Sequence, residues 1–365
     1  MIQWRSAVVV EVRSRWAGAV EYAAELASGE QVRALGYLDA VGELPPGARV
    51  LLNTTALERG LGTGGLAIVV AAPDHLPAPV ADVRDVLGHV VKARYTGSQT
   101  MVLGVDEQDS VHHATLRDAD DLGGMPVVVA DLHSALPALL AGLREARPGL
   151  RVAYVMTDGG ALPISFSRTV AGLREAGWLA ASITVGQAHG GDLEAVNVHT
   201  GLLAAHHVVG ADVVVVSQGP GNLGTGTRWG FSGTSAGEAV NAAATLRGRP
   251  VCSLRISEAD PRERHRGVSH HSLTAYGRVT LVPADVVAPV LPGELGAQVL
   301  AQALALCEAS GGRLRLHEMG CEGLDDALRT SPVPLSTMGR GHDDDRASFL
   351  GAAVAGRFAA RLVQG

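Results

Sequence analysis

Residues 125–160, MPVVVADLHSALPALLAGLREARPGLRVAYVMTDGG, decide the fold. An apolar run (126–130) leads through a short polar loop into a helical stretch (136–146), and a second apolar run follows at 151–156. Apolar runs without alternation suit strands covered on both faces, as in a parallel sheet flanked by helices. The same texture continues downstream. Strands are expected at 179–185, 212–217 and 251–256, with 279–282 as the sixth, and helices at 166–176, 199–209 and 236–246. Helices at 293–308 and 345–363 finish the chain. Residues 125–365 are therefore expected to form a doubly wound, mainly parallel α/β domain.

The N-terminal part reads differently. Short strand-like runs at 7–12, 20–26, 31–37, 49–52 and 66–70 are separated by Ser28-Gly29, Pro45-Pro46-Gly47 and the glycine-rich turn 60–65. That spacing predicts a small antiparallel β-barrel over residues 1–75. Pro73, Pro77 and Pro79 mark a linker. Residues 76–124 then read as linker and connecting strands, 90–95 and 100–105, before a polar stretch that ends at Gly123-Gly124.

Composition narrows the function classes. The chain has 365 residues, 47% hydrophobic and 18% charged, which suits a soluble globular protein of two domains. A net charge of −7 and 4% aromatic residues offer neither a pull on phosphate polymers nor stacking platforms, so bulk nucleic-acid binding is not expected. Glycine is in excess, 46 residues or about 13% against an average of about 7%. Of 30 basic residues all but Lys92 are arginine, which leaves a single candidate for lysine chemistry. Three cysteines without CxxC spacing suggest a reducing compartment. The apolar run 7–10 is too brief for a signal sequence, and no run reaches the ~18 residues of a membrane span, so a cytoplasmic location without membrane contact is expected. Self-association as a homo-oligomer is an open reading.

In a doubly wound sheet, ligands bind beyond the carboxyl ends of the strands. Here those ends carry Asp131, His133 and Ser134, then Thr157 and Asp158, then His189 and Asp192, the loop 218–237, and a segment with Arg255, Asp260, His265, His270 and His271. A metal reading takes Asp131 and His133 as the seed of a divalent site, with Asp158, His189 and Asp192 as tentative further ligands and His270 or His271 in reserve. Residues 127–147 resemble the opening of the metallophosphoesterases, whose strand ends in Asp-x-His. This chain has Thr157-Asp158 where that family has Gly-Asp, and Gly221-Asn222 is followed by Leu223 rather than histidine. The competing reading makes Asp131 and Ser134 helix caps and His133 a local hydrogen-bonder.

An anion reading uses backbone amides of Gly219, Gly221 and Gly224 with Thr225, Thr227, Arg228 and Arg255. Gly219–Gly224 satisfies GxGxxG, but the loop runs on before its helix and no acidic residue follows about 20 positions later, which argues against a dinucleotide fold. A nucleophile reading rests on the GxSxG match around Ser235, but 228–232 makes a poor buried strand, so Ser235 is expected in the first turn of a helix. The segment 255–271 could clamp an anion through arginine while His270 or His271 moves a proton.

The strings VLLNTTALERGLGTGG, DLGGMPVVVADLHSALP, AYVMTDGGALP, SQGPGNLGTGTRWGFSG, HRGVSHHSLTAYGRV and STMGRG resemble those of the bacterial domain-of-unknown-function family 3866, along nearly the whole chain. The resemblance implies a bacterial cytosolic protein and no activity. The leading reading is thus an enzyme acting on a small phosphorylated or otherwise anionic molecule, a metal-dependent phosphohydrolase in its sharpest form. In it Asp131, His133, Asp158, His270 and His271 carry the chemistry. The alternative is a ligand-sensing or adaptor protein whose barrel binds a protein or RNA partner, the latter through Arg5, Arg13, Arg15 and Arg33.

Overall fold

Alternation in the first strand, with Ala7 and Val9 buried and Val8 and Val10 exposed, bends the chain around an interior. The computed structural model describes residues 1–61, 64–78, 82 and 86–364. Strands β1 (Trp4–Trp16), β2 (Ala19–Leu26), β3 (Gln31–Tyr37), β4 (Arg49–Asn53) and β5 (Ala67–Ala71) close a barrel in the order β1-β2-β3-β5-β4. Its pairings are antiparallel except β3 with β5. Val9, Val20, Tyr22, Val50, Leu52 and Val69 fill it, and the Tyr22 hydroxyl accepts from the Leu44 amide at 3.0 Å. Single turns α1 (Leu38–Val41) and α2 (Thr55–Glu58) join its strands. Gly62 and Thr63 of the expected glycine turn, and Pro79 of the expected linker, lie outside the described residues.

A hairpin of β6 (Val90–Lys92) and β7 (Thr100–Val102) and a turn α3 (His113–Leu116) follow. Lys92, the chain's one lysine, fixes this hairpin to the neighbouring sheet. Its side chain is 1% exposed, and Nζ donates to Glu194 Oε2 (2.7 Å) and to the carbonyls of Thr184 (2.9 Å) and Ala188 (2.8 Å). The amine is structural, and no lysine is left for chemistry.

The second domain is built on β8 (Pro126–Val129), β9 (Val152–Thr157), β10 (Ala181–Thr184), β11 (Leu193–Glu194), β12 (Val213–Gln218), β13 (Arg249–Ser253), β16 (Ala284–Pro289) and β17 (Leu314–Met319), with the small pair β14 (Ile256–Ser257) and β15 (Gly267–Val268) beside it. The eight strands run parallel in the order β11-β10-β9-β12-β8-β13-β16-β17. The helices are α4 (Leu136–Ala146), α5 (Arg168–Glu175), α6 (Val198–His207), α7 (Ser235–Thr245), α8 (His270–Thr274), α9 (Gly293–Ala309), α10 (Leu324–Arg329) and α11 (Arg346–Leu362). α6, α7 and α9 pack on one face of the sheet, and α4, α5, α10 and α11 on the other. The expected α/β architecture is present.

Two differences follow from burial. Residues 279–282, expected as the sixth strand, do not form one: Val279 closes a π-helical turn, Ala275–Val279, where it packs against Gly237, and the strand begins only at Ala284. β17, Leu-Arg-Leu-His-Glu-Met, was not foreseen. It is an edge strand with one neighbour, and its half-exposed, mixed sequence lacks the apolar run that marks the central strands.

α4 and α11 cross backbone against backbone. A Cβ on Gly142 would lie 1.9 Å from the carbonyl oxygen of Ala353, and one on Gly356 would lie 2.0 Å from that of Leu139. This crossing seats α11 under β8, β13 and β16. The chain leaves β8 toward α4, whereas both neighbours of β8, β12 and β13, lead to the opposite face through α7 and α8. The carboxyl end of β8 is therefore where the connections part and a crevice opens.

Candidate functional site

Asp131 follows β8 at that crevice and is 3% exposed. Its main-chain oxygen accepts from Gln218 Nε2 at 3.0 Å, which ties the ends of β8 and β12 together. Tyr276 joins β8 to β13 on the other side, its hydroxyl reaching the carbonyls of Val129 (2.8 Å) and Ser253 (3.1 Å). The main chain at Asp131 is thus fixed across three strands. The carboxylate Oδ2 has no hydrogen-bond partner and lies 3.5 Å from Nδ1 of His271.

His271 is placed from both sides. Ser269 caps α8 by accepting from the His271 amide, Ser272 Oγ accepts from the Arg255 amide, and the imidazole stacks flat on Phe231 with centroids 3.8 Å apart. Arg255 Nη1 sits 3.2 Å from His271 Nδ1. With Arg255 donating, Nδ1 is an acceptor and the ring proton is on Nε2. A proton on Nδ1 would instead supply the donor that Asp131 Oδ2 lacks. The two tautomers of His271 thus have different partners, Arg255 for one and Asp131 for the other.

His265 and His270 complete a group of three imidazoles, with ring centroids 4.4–4.9 Å apart. Burial, then Arg255 and Arg262, push His265 down to about 3; burial, then His271 and Arg264, push His270 down to about 4. Beside them Asp260 is fully buried. Burial works against its charge, yet the hydrogen bonds from Arg262, at 2.9 and 2.9 Å, hold it well below the usual carboxylate range. Arg340 reaches both Asp260 (3.3 Å) and Asp345 (3.0 Å), so the 336–341 turn is anchored over this region.

Asp131, Arg255, His270 and His271 of the expected site thus come together. The others do not join them. His133 is buried on the α4 side of the sheet with both ring nitrogens used, Nδ1 by the Tyr154 hydroxyl (3.0 Å) and Nε2 by Ser167 Oγ (2.7 Å). Asp158 accepts from the Gln187 amide at 2.9 Å. Asp192 takes Arg174 and both the amide and hydroxyl of Ser182, and His189 is half-buried with its pKa lowered chiefly by burial. The proposed ligand set Asp131, His133, Asp158, His189 and Asp192 does not converge, because His133, Asp158 and Asp192 are each engaged by other segments: Tyr154 and Ser167, the Gln187 amide, and Arg174 with Ser182. Ser235 opens α7 after a short turn, as expected.

The loop after β12 differs from an anion cradle. Gly224 bridges to Phe231, Thr225 and Thr227 hydrogen-bond to each other at 3.1 Å, and the Thr227 hydroxyl accepts from the Gly230 amide. Gly224, Thr225, Thr227 and Arg228 form an exposed, self-closed tip. Glycine at 160 and 219 has another cause. A Cβ on Gly160 would sit 2.3 Å from the Gly219 oxygen, and one on Gly219 would sit 2.4 Å from the Ala161 oxygen, so the loops after β9 and β12 pass in backbone contact.

The barrel covers this edge. Arg168 lies 4.2 Å from the centroid of Trp16, donates to Ser14 Oγ and pairs with Glu21, while Trp16 Nε1 donates to the Ser165 oxygen at 2.6 Å. Between the domains is a cleft of about 600 Å³, lined by Trp16, Arg33, Ser134, Arg168, Gln218 and Asn222 among others. A smaller cavity of about 20 Å³ behind Ser134 and Thr337 reaches Asp131 and Arg255 and has room for one water. Nothing in the sequence pointed to Trp16, Glu21 or Arg168, whose roles depend on docking. The barrel arginines do not form a free basic patch: Arg5 pairs with Glu58, Arg15 with Glu43, and Arg13 and Arg33 with Glu21.

Six buried side-chain polar atoms lack a partner among the described residues, and five belong to this edge: Asp131 Oδ2, Thr157 Oγ1, Gln218 Oε1, Asn222 Nδ2 and His270 Nε2. Such orphans are rare in folded proteins, and each calls for a partner such as a water, an ion or a ligand, or for a catalytic role.

Burial pulls His133 down to about 4, so between pH 6.5 and 4 the unfolded chain binds a proton that the folded chain refuses. Stability is expected to fall on acidification through that window, with the His133 share reaching about 2 kcal/mol at pH 5. Tm measured from pH 7 to pH 5 should drop less steeply in His133→Gln than in the wild type.

Among the described residues no helix is long and apolar enough to cross a membrane. The model of a family described as "Protein of unknown function (DUF3866)" matches residues 33–356. No curated protein matches. The crystal structure of the hydrogenase maturation factor HypB from Archaeoglobus fulgidus superimposes with a TM-score of 0.29 and 13% identity, covering 60% of this chain and 92% of that one. At that score the likeness carries no argument about fold or function.

Proposed function

We propose, for a chain that belongs to the DUF3866 family of unknown function, that the crevice at the end of β8 is an enzyme site acting on a small anionic molecule by proton transfer. The observation that carries the reading is the concentration of five orphaned buried polar atoms at one sheet edge. Asp131 Oδ2 and the His271 ring supply an acid–base pair, with Arg255 setting which ring nitrogen holds the proton. The 600 Å³ cleft suits a phosphorylated metabolite, with its anionic group toward Arg33, Arg168 and the 220–222 backbone and its reacting end at Ser134, which also lines the small cavity that reaches Asp131 and Arg255. Phosphoester hydrolysis is the sharpest form of this chemistry. The exposed loop tip and Arg228 have no part in it, and neither do His133 or Asp158. The adaptor reading draws less support, since the barrel's Trp16 face is occupied by Arg168 of the other domain.

Thermal-shift measurements with inorganic phosphate, sugar phosphates and nucleotides test this. A ligand at about 100 times its Kd should stabilise the wild type by about 2.7 kcal/mol. Gln218→Leu and Arg33→Ala should each weaken that shift. If no anionic compound raises Tm, or the shift is undiminished in both variants, the crevice is not an anion site.

A further inference from the structure

We infer that His265, His270 and His271 form a binding site for one divalent transition-metal ion. One ligand atom from each of the three lies within 4.8 Å of the others, the most compact such group of His, Cys, Asp and Glu among the described residues. A tetrahedral ion with bonds of about 2.0–2.1 Å needs nitrogens about 3.3 Å apart, a closure that small rotations of three side chains supply.

The partners around each ring leave one nitrogen unspent. His265 Nδ1 is bonded to Ser269 Oγ at 2.7 Å, which directs the other nitrogen's lone pair away from that serine. His271 offers Nε2 in the tautomer that carries its proton on Nδ1, which faces Asp131 Oδ2 at 3.5 Å; metal binding at Nε2 selects that tautomer over the one in which Nδ1 accepts from Arg255. His270 Nε2 is buried and has no partner at all. This is the second-shell pattern of metal-bound histidine, in which a carboxylate or hydroxyl fixes one ring nitrogen and frees the other. Phe231, stacked on His271 and edge-on to His270, closes one side of the group.

Three imidazoles without a thiolate or carboxylate suit zinc, cobalt or nickel rather than magnesium or calcium, and they leave a fourth position open. The surroundings bear on what fills it. Arg255, Arg262 and Arg264 oppose a bare cation, while Asp131 and Asp260 offset part of that charge, so the open position favours an anionic ligand. The inference deepens the crevice reading through His271, which both use, but it does not depend on an anion being bound.

Untagged protein dialysed against chelator is titrated with Co2+ and then Zn2+. The expected result is one equivalent of Co2+ with the visible absorption of four-coordinate cobalt, displaced by Zn2+. His270→Gln, on a half-exposed ring, should lose at least tenfold in Co2+ affinity with an unchanged circular dichroism spectrum, and His265→Gln should do the same. Binding of less than a tenth of an equivalent by the wild type, or wild-type affinity in both variants, overturns the site. The two readings separate in the same material. Protein that is stabilised by phosphate yet takes no metal defeats this inference alone, and protein that takes metal but ignores every anion defeats the crevice reading alone.

Discussion

Lys92→Met is expected to destabilise the protein by about 3–5 kcal/mol, measured by urea unfolding. The ammonium is 1% exposed and satisfies Glu194 and two main-chain carbonyls at once. Methionine fills similar space but leaves Glu194, itself buried, as a charge without its partner. Burial draws the Lys92 pKa below the usual lysine value, and Glu194 offsets only part of that. Breaking one side of such a pair costs more than removing both. Lys92→Met combined with Glu194→Gln should therefore recover a large part of the loss, since Gln keeps the contacts to Thr184 Oγ1 and the Gly190 amide region without a charge. A single variant within about 1 kcal/mol of the wild type would show that the hairpin is not held by this ion pair.

The second large effect is expected at the helix crossing. Gly142→Ala places a methyl group 1.9 Å from the Ala353 oxygen, and that oxygen belongs to a helix backbone that cannot rotate away. Alanine would favour an isolated helix by about 1 kcal/mol over glycine, so a stabilised variant would mean that α4 and α11 separate freely. Instead the two helices must move apart along their length, opening the contact beneath β8 and β13. A net loss of about 3 kcal/mol or more is expected, at the upper end of overpacking effects. Gly356→Ala should behave alike because its methyl would meet the Leu139 oxygen at 2.0 Å. The double variant should lose less than the sum, since one displacement of α11 relieves both clashes.

Much of the fold was legible because central parallel strands leave a local mark. Val127–Val129 and Val213–Val216 are fully buried on both faces and read as such from the sequence. The turn residues announced the barrel in the same way. β11, two residues long, and the polar edge strand β17 carry no such mark, and Val-Thr-Leu-Val at 279–282 has the β-branched, apolar texture of a strand without being one. At the site, Asp131, Arg255, His270 and His271 were found because they lie just past strand ends, where parallel topology makes residues distant in sequence converge. Asp158 and Asp192 lie at strand ends too, but their carboxylates serve nearby amides, and short polar loops give no outward sign of which they will do. The importance of Phe231 and Gln218 rests on an imidazole stacked on one and a carbonyl held by the other. In the anion reading, glycine in the loop after β12 offers its amides to a ligand. At residues 160 and 219 it instead lets two loops touch.

The solitary lysine has a consequence for chemical labelling. ε-Amine chemistry has a single side-chain address in this protein, and the native fold keeps it shut between Glu194 and two carbonyls. Acylating reagents and lysine-directed crosslinkers should leave that side chain untouched until the β6–β7 hairpin lifts from β10 and β11. The rate at which Lys92 becomes acylated would then be a clock for that one local opening, readable by mass without any engineered probe.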